Sequence, residues 1–248
     1  MKRIHRSTLP ARTLAYLGRK QQEVDGSIDV EAAWKGARKT KTMKGVASTL
    51  AAMSGKRQRC MFCGDSRGTD IEHFWPKSRY RARTFDWLNL LWICAGCNRQ
   101  KGNQFPLDAH QRPLLIDPTA EDPWDYLFYD SRTGNITSRF DPHTGQPDPR
   151  GSCVTNPQIL PLNIESVTEG RLRIFRSLRR CVRSFLQIAA NTSDVAAAQV
   201  ELLEAIRDHD DYGLIHWYFE RDGSDEPPFC QLKVQYPQVW AEIANVLR

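Results

Sequence analysis

Apolar residues recur every three to four positions towards both ends of the chain, which is the spacing of amphipathic helices. Residues 11–56 predict an N-terminal helical arm, which ends at the break around Gly55. Residues 164 to about 190 predict one long helix, whose apolar stripe consists of Phe175, Leu178, Val182, Phe185, Leu186 and Ala189. Shorter helices are expected over 194–209, 212–221 and 235–247.

The middle of the chain is patterned differently, with short apolar runs between prolines and glycines. The run PLLIDP at 113–118 predicts a short strand, and residues 125–140 predict two strands joined by a Gly-Asn turn. The whole pattern indicates an α+β fold that is mostly helical. We expect three parts: an arm over 1–56, a core over 57–118, and a hairpin with a helical region over 119–248.

Charge is distributed unevenly along this basic chain, whose net charge is +6. Residues 1–59 hold fourteen Lys and Arg against four Asp and Glu, whereas residues 201–226 hold nine acids and two arginines. The long helix adds a face rich in arginine: Arg171, Arg173, Arg176, Arg179, Arg180 and Arg183. This face is either an ordinary solvated surface or a ridge that contacts phosphates or a partner.

No apolar run approaches the length that spans a bilayer, and the basic N-terminus lacks the apolar centre of a secretory signal. We therefore expect a cytoplasmic protein with no membrane partner. Cysteines in that compartment stay reduced unless a metal binds them. Three of the seven, at positions 153, 181 and 230, stand alone and are expected to be plain thiols.

The other four cysteines form two C-x-x-C pairs, Cys60 with Cys63 and Cys94 with Cys97. Each pair supplies a tight turn that lets both sulfurs face one ion, and four thiolates make a tetrahedral site. The spacing predicts a structural zinc, with iron as the alternative occupant.

Four polar residues of chemical interest stand in order around these pairs. Glu72 and His73 are adjacent in DIEHFWPKS, Asn89 follows in DWLNLLWIC, and Asn98 opens the string NRQKGN directly after the last cysteine. This order, over about 60–106, resembles the HNH endonucleases that are supported by a four-cysteine zinc site. The resemblance implies a ββα-metal core over 57–118, in which a β-hairpin and a helix surround a catalytic metal.

The resemblance also implies a role for each residue. His73 is the expected general base, while Glu72 and Asn98 are the expected ligands of Mg²⁺ or Mn²⁺. Asn89 is expected to bridge backbone groups across the hairpin so that His73 points inward. The family more often has aspartate and histidine where this chain has Glu72 and Asn98, so the metal's identity stays open. Expected contacts to DNA phosphates are Lys77, Arg79, Arg99 and Lys101.

A narrower resemblance is carried by IEHFWPKS, DWLNLLWICAGCNRQKGNQFPL and LLIDP. These strings are similar to the HNH nuclease subunits of Septu-type anti-phage systems, which also accompany some retrons. In that family the nuclease pairs with an ATPase of the ABC/OLD group, and helical segments outside the HNH core dock on it. The resemblance implies antiviral defence, DNA as a substrate and an ATPase as a partner.

Three hypotheses follow for the function. A DNA nuclease restrained by a partner ATPase would cleave weakly alone and form a stable complex. A stand-alone nicking or restriction-type nuclease would cleave as the isolated chain. A non-catalytic zinc module that binds nucleic acid or protein would keep every activity when His73 is replaced.

Overall fold

The N-terminal arm is three helices in a computed structural model that describes residues 1–26, 29–191, 195–208 and 212–246. The helices are α1 (Ala11–Asp25), α2 (Val30–Arg38) and α3 (Lys41–Met53). Asp29 accepts a hydrogen bond from the Glu31 backbone N–H at the start of α2, and Thr40 caps α3 in the same way. These caps satisfy backbone donors that have no partner within a helix. The arm is therefore helical, as its periodicity predicts.

A small hairpin and one helix make up the central part of the chain. Strands β1 (Asp70–His73) and β2 (Leu90–Ile93) pair antiparallel, with Glu72 opposite Leu91 and His73 opposite Leu90. Helix α4 (Ala95–Lys101) begins directly after β2, and Cys94 is its N-cap. The chain thus runs strand, strand, helix within about thirty residues, and Lys101 at the end of α4 contacts the end of β1.

The C-terminal part is mostly helical and begins with a second hairpin. Strand β3 (Leu127–Tyr129) pairs antiparallel with β4 (Ile136–Ser138). The helices that follow are α5 (Pro149–Thr155), α6 (Glu165–Asn191), α7 (Ala196–Asp208), α8 (Leu214–Glu220), α9 (Phe229–Gln235) and α10 (Pro237–Val246). The expected α+β, mostly helical class is confirmed, with two small sheets among the described residues.

Most of the elements expected from periodicity are present. The second hairpin and the long helix are confirmed, and a helix lies within each of the ranges 194–209, 212–221 and 235–247. Residues 194, 209 and 247 of these ranges lie outside the described residues. Helix α9 is not expected from the sequence. The strand expected over 113–118 is wrong: only Pro113 forms an isolated bridge, with Leu107. Proline has no N–H to donate, and Leu115 and Ile116 are apolar because they fill the core.

Contacts from both ends of the chain fix the central hairpin in place. Arg6 donates hydrogen bonds to the carbonyls of Trp87 and Leu90, just before and in β2. From the other side, Tyr212 donates to Asp65 in the turn that follows the first cysteine pair. One continuous apolar core runs through all three parts. In the described part of the chain, the helices are all too short or too polar to cross a membrane.

The polar face expected for the long helix needs one correction. Arg171 belongs to it by sequence spacing, yet its side chain is fully buried. Its guanidinium donates to the carbonyls of Gly134 and Leu162 at 3.0 and 2.5 Å. The cause is tertiary packing, because α6 lies against the β3–β4 turn at this point and the turn supplies acceptors.

Candidate metal centre and active site

Four cysteines converge at one point beside the central hairpin. Cys60, Cys63, Cys94 and Cys97 are buried, their sulfurs lie within 4.8 Å of one another, and none forms a disulfide. A zinc ion with four Zn–S bonds of about 2.3 Å separates its sulfurs by roughly 3.8 Å. The observed Sγ–Sγ distance between Cys63 and Cys94 is 3.9 Å. The cluster therefore fits a structural zinc ion.

Two tight turns bring these sulfurs together. After Cys60 the Gly64 N–H donates to the Cys60 carbonyl at 2.9 Å, and Gly64 has a φ of +69°, which favours glycine. The second turn is the start of α4, where the Cys97 N–H donates to Cys94 Sγ at 3.4 Å. Burial raises the pKa of Cys60. Four buried thiolates are stable only beside a cation, which zinc would supply.

His73 lies at the end of β1 with its imidazole inside the protein, 3% exposed. Its Nε2 is 2.9 Å from the carbonyl oxygen of Thr84 in the loop between the strands. Burial lowers the pKa of His73 to about 3, so the ring is neutral at pH 7. Because a carbonyl only accepts, Nε2 carries the proton and Nδ1 holds the lone pair. The Thr84 contact thus selects the tautomer.

Helix α2 of the arm covers this imidazole. The indole of Trp34 packs edge-on against the His73 ring, with centroids 4.3 Å apart at 63°. Trp34 also contacts Phe85 at 5.4 Å and is only 5% exposed. Two ion pairs flank the contact: Glu31 with Lys77 at 3.0 Å and Arg38 with Asp70 at 3.3 Å. In this conformation, therefore, the arm separates His73 from solvent.

Glu72 points to the opposite side of the strand and is held by Lys101 of α4. The Lys101 Nζ is 2.7 Å from Glu72 Oε1 and 3.0 Å from the carbonyl oxygen of His73. The Lys101 side chain is fully buried, and Glu72 is 14% exposed. Burial lowers the pKa of Lys101, and the charge of Glu72 opposes that shift. Lys101 therefore fastens α4 to β1 from inside the fold, a position different from the surface contact expected of it.

Asn98 lies on α4 one turn before Lys101, the residue that contacts Glu72. Residues three apart on a helix share a face, so Asn98 lies on the side of α4 towards β1. Its side chain is half-buried and forms no hydrogen bond with any residue that the structure describes. Its amide oxygen and the second oxygen of Glu72 have no hydrogen-bond partner among the described residues, and both kinds of oxygen suit Mg²⁺ or Mn²⁺.

Asn89 is 1% exposed and anchors the loop between the strands. Its Oδ1 accepts from the Trp75 N–H at 2.7 Å, and its Nδ2 donates to the carbonyls of Trp75 and Arg83 at 3.1 and 2.8 Å. Arg83 immediately precedes Thr84, which contacts His73. One asparagine therefore ties both ends of the loop that orients the imidazole.

The remaining basic residues expected to contact phosphates lie in different settings. Arg79 donates to the carbonyls of Asn103 and Phe105, which connects the loop to the end of α4. Lys77 is engaged by the arm through Glu31. Arg99 is exposed on α4 and has no partner among the described residues. Arg99 is thus the one of the four that is open to a ligand in this conformation.

Two residues of the site are not expected from the sequence. Thr84 is recognisable only through the fold, because any residue offers a backbone carbonyl. Trp34 is 39 positions before His73, and its spacing to the buried Ala37 signals only a helix face. The sequence does show a large aromatic residue on a short amphipathic helix of the basic arm. This pattern predicts that Trp34 is buried, but it does not identify the residues that Trp34 contacts.

Comparison with known proteins gives one informative match. No protein-family model matches the chain. The chain is similar to the Septu protein PtuB of Bacillus thuringiensis, with 31% identity over 83 residues. The match spans 32% of this chain and 31% of that protein. It supports a relationship to the Septu proteins over that segment, in agreement with the resemblance found in the sequence.

Proposed function

We propose that the chain is a metal-dependent nuclease of the HNH type that hydrolyses phosphodiester bonds of DNA. The observation that carries this proposal is the joint position of Glu72 and His73 at the end of β1, against the helix that carries Asn98. That strand end packs on the end of α4 through Lys101, and two of the four clustered cysteines lie at the start of the same helix. A base and two oxygen donors on these elements are the groups that phosphodiester hydrolysis requires, which supports the proposal.

Each residue has a defined part in this chemistry. The neutral His73 accepts the proton of the attacking water at Nδ1, while the Thr84 carbonyl holds Nε2–H. Asn89 keeps the loop, and with it Thr84, in register. Glu72 and Asn98 would hold Mg²⁺ or Mn²⁺, which supplies positive charge at the scissile phosphate. Lys101 fixes the Glu72 carboxylate and offsets part of its charge.

The burial of His73 supports a restrained nuclease over a stand-alone one. A general base must reach water and the phosphate, yet Trp34 lies against it. The conformation described is therefore a closed one, and α2 must move before cleavage. We propose, on the similarity to PtuB, that the chain acts in Septu-type anti-phage defence and that a partner ATPase moves the arm.

A second candidate, a non-catalytic zinc module, is favoured by one observation. A histidine packed on tryptophan with its Nε2 bonded to a carbonyl is also a satisfied core residue. The two functions differ in what Asn98 does. As a metal ligand it is indispensable for cleavage, whereas as a half-buried helix residue without a partner it is dispensable for folding and binding.

Plasmid cleavage by the purified chain tests the proposal. Supercoiled plasmid is incubated with the chain in Mn²⁺ or Mg²⁺, alone and with the proposed partner ATPase and ATP, and with a chelator as a control. Replacing His73 alters the packing on Trp34, so Asn98→Ala is the cleaner variant. Gln100→Ala, on the same helix but outside the proposed metal ligands and phosphate contacts, is the comparison variant.

The nuclease proposal predicts cleavage that needs the divalent metal, is stimulated by the partner and is lost in Asn98→Ala. Cleavage by the isolated chain at full rate would instead support the stand-alone nuclease. An absence of metal-dependent cleavage with partner and ATP present, in a folded chain that contains zinc, would leave the zinc module as the function.

A further inference from the structure

Helix α6 carries a row of four arginines that the proposed active site does not use. Arg173, Arg176, Arg180 and Arg183 are exposed, and they follow one another at intervals of three, four and three residues. At about 100° per residue these positions fall within roughly 80° of the helix circumference, and ten residues rise about 15 Å. We call this row the arginine stripe. It lies opposite the apolar face through which α6 packs into the core.

The arginine stripe is unpaired in the part of the chain that the structure describes. None of its four guanidiniums forms a hydrogen bond or an ion pair there. Other arginines of this region are engaged: Arg171 is bonded to carbonyls, and Arg150 to Glu121. The segment from 173 to 183, RIFRSLRRCVR, contains no acid. The stripe is therefore a line of uncompensated positive charge held by a rigid helix.

Its surroundings favour a polyanion over a protein as the occupant. Protein interfaces have a core of apolar and aromatic side chains. The exposed large apolar residues of this region, Ile164 and Ile188, lie outside the stripe at either end. Two carboxylates are near, and neither forms an ion pair with the stripe among the described residues. Glu169 lies one turn before Arg173 on the same helix, and Glu201 of α7 lines a cleft of about 290 Å³ with Arg180. Away from this cleft, the stripe presents charged side chains and no apolar contact surface.

We propose that the arginine stripe binds the phosphate backbone of double-stranded DNA without reading its sequence. Double-stranded DNA has one phosphate charge per about 1.7 Å of axis, counted over both strands, so a row of four long arginine side chains about 15 Å in length can reach several phosphates. The guanidinium fork matches the phosphate oxygens in geometry, and a straight row on one helix suits a stiff backbone. This inference depends on the charge and geometry of α6 and stands whether or not His73 is catalytic.

The test is DNA binding by the full chain carrying Arg173→Gln, Arg176→Gln, Arg180→Gln and Arg183→Gln together. Fluorescence anisotropy with a labelled 30-base-pair duplex, without added divalent metal, gives affinity at several salt concentrations. The matched control removes four charges from exposed positions of the arm: Arg12→Gln, Arg19→Gln, Lys41→Gln and Lys44→Gln. Circular dichroism melts verify that both variants fold, as expected for exposed positions.

The proposal predicts that the stripe variant binds more weakly and that its slope of log K against log salt is shallower by about 3 to 4. The arm variant is expected to keep a slope near that of the parent chain. Equal losses in both variants would overturn the proposal in favour of net charge alone. Unchanged DNA binding by the stripe variant would overturn it, and loss of binding to a labelled polyglutamate peptide by the same variant would indicate an acidic protein partner instead.

Discussion

Replacement of Trp34 by alanine is the most direct perturbation of the closed site. Trp34 contacts His73 and Phe85, which both belong to the central hairpin and its loop. These contacts exist only while α2 is docked. The substitution is therefore expected to favour the open form, in which the His73 imidazole reaches solvent, and to raise metal-dependent cleavage by the isolated chain.

The magnitude follows from the burial of the indole. Trp34 is 5% exposed. A buried tryptophan removes about 150–250 Å² from water, and its truncation costs about 3–5 kcal/mol. The ion pairs of Glu31 and Arg38 lie near the surface and contribute up to about 1 kcal/mol each. Destabilising the docked form by about 3 kcal/mol relative to the open form raises the population of the open form roughly a hundredfold.

Two assays report on the two steps separately. Diethyl pyrocarbonate modifies accessible histidines, and peptide mass spectrometry resolves His73 from the exposed His110 and His143, which serve as internal references. Plasmid nicking in Mn²⁺ reports cleavage. The matched control is Lys35→Ala, an exposed neighbour on α2 that leaves the docked face unchanged. Adding Asn98→Ala to the Trp34 variant shows whether any gain in cleavage uses the proposed site.

Trp34→Ala is expected to show faster modification of His73 and faster nicking, and Lys35→Ala is expected to show neither change. Modification that stays slow would refute the idea that Trp34 holds α2 in place. Fast modification without nicking, in a chain that keeps its zinc and its cooperative melt, would refute the assignment of His73 as a restrained base.

Three further predictions concern the surroundings of the site. Lys101→Met removes the cation that contacts Glu72 and is expected to lower the free energy of unfolding by about 3–5 kcal/mol in urea titrations. Adding Glu72→Gln should recover part of that loss, and a double variant as unstable as the single one would contradict the pairing. Cys60→Ser is expected to abolish a stoichiometric zinc measured by plasma mass spectrometry and to lower the melting temperature, whereas an unchanged zinc content would rule the cluster out as its ligand set. Burial lowers the pKa of His216, but the hydrogen bond and charge of Asp122 outweigh this effect and raise that pKa above its ordinary 6.5. The stabilisation by this pair is complete below pH 6.5 and is lost as pH rises through the raised pKa. The melting temperature should therefore fall from pH 6 to pH 9 by more in the parent chain than in His216→Gln, and equal falls would contradict this assignment.

Local patterns account for the parts of the fold that the sequence predicts well. The 27-residue helix α6 has an apolar stripe long enough to outweigh any local preference, and the turn at Gly134 marks the β3–β4 hairpin. The two C-x-x-C pairs predict a cluster because each pair is itself a local turn. In all three cases the determining interactions lie within a few residues.

Long-range contacts account for the rest. The PLLIDP run is apolar like a strand, but Leu115 and Ile116 fill the core from an irregular segment. Its prolines have no N–H to donate to a neighbouring strand, and it forms only an isolated bridge at Pro113. Arg171 and Lys101 are charged and yet fully buried, because the β3–β4 turn and Glu72 supply their partners. Neither partner is visible in the local pattern. The same holds for Trp34 on His73, the contact that decides whether the site is open.

The strength of that contact determines whether a partner could control the site. A histidine in a domain core becomes accessible only by global unfolding, at a cost of about 5–15 kcal/mol. Here the cover is one nine-residue helix, held by the buried side chains of Trp34 and Ala37 and by two ion pairs of modest strength. Reversing a 99:1 preference for the docked form takes about 5.5 kcal/mol of differential binding. A partner that binds with micromolar affinity has a binding free energy of about 8 kcal/mol. Binding to the open arm in preference to the docked one is therefore sufficient to expose His73 without unfolding the zinc-supported hairpin.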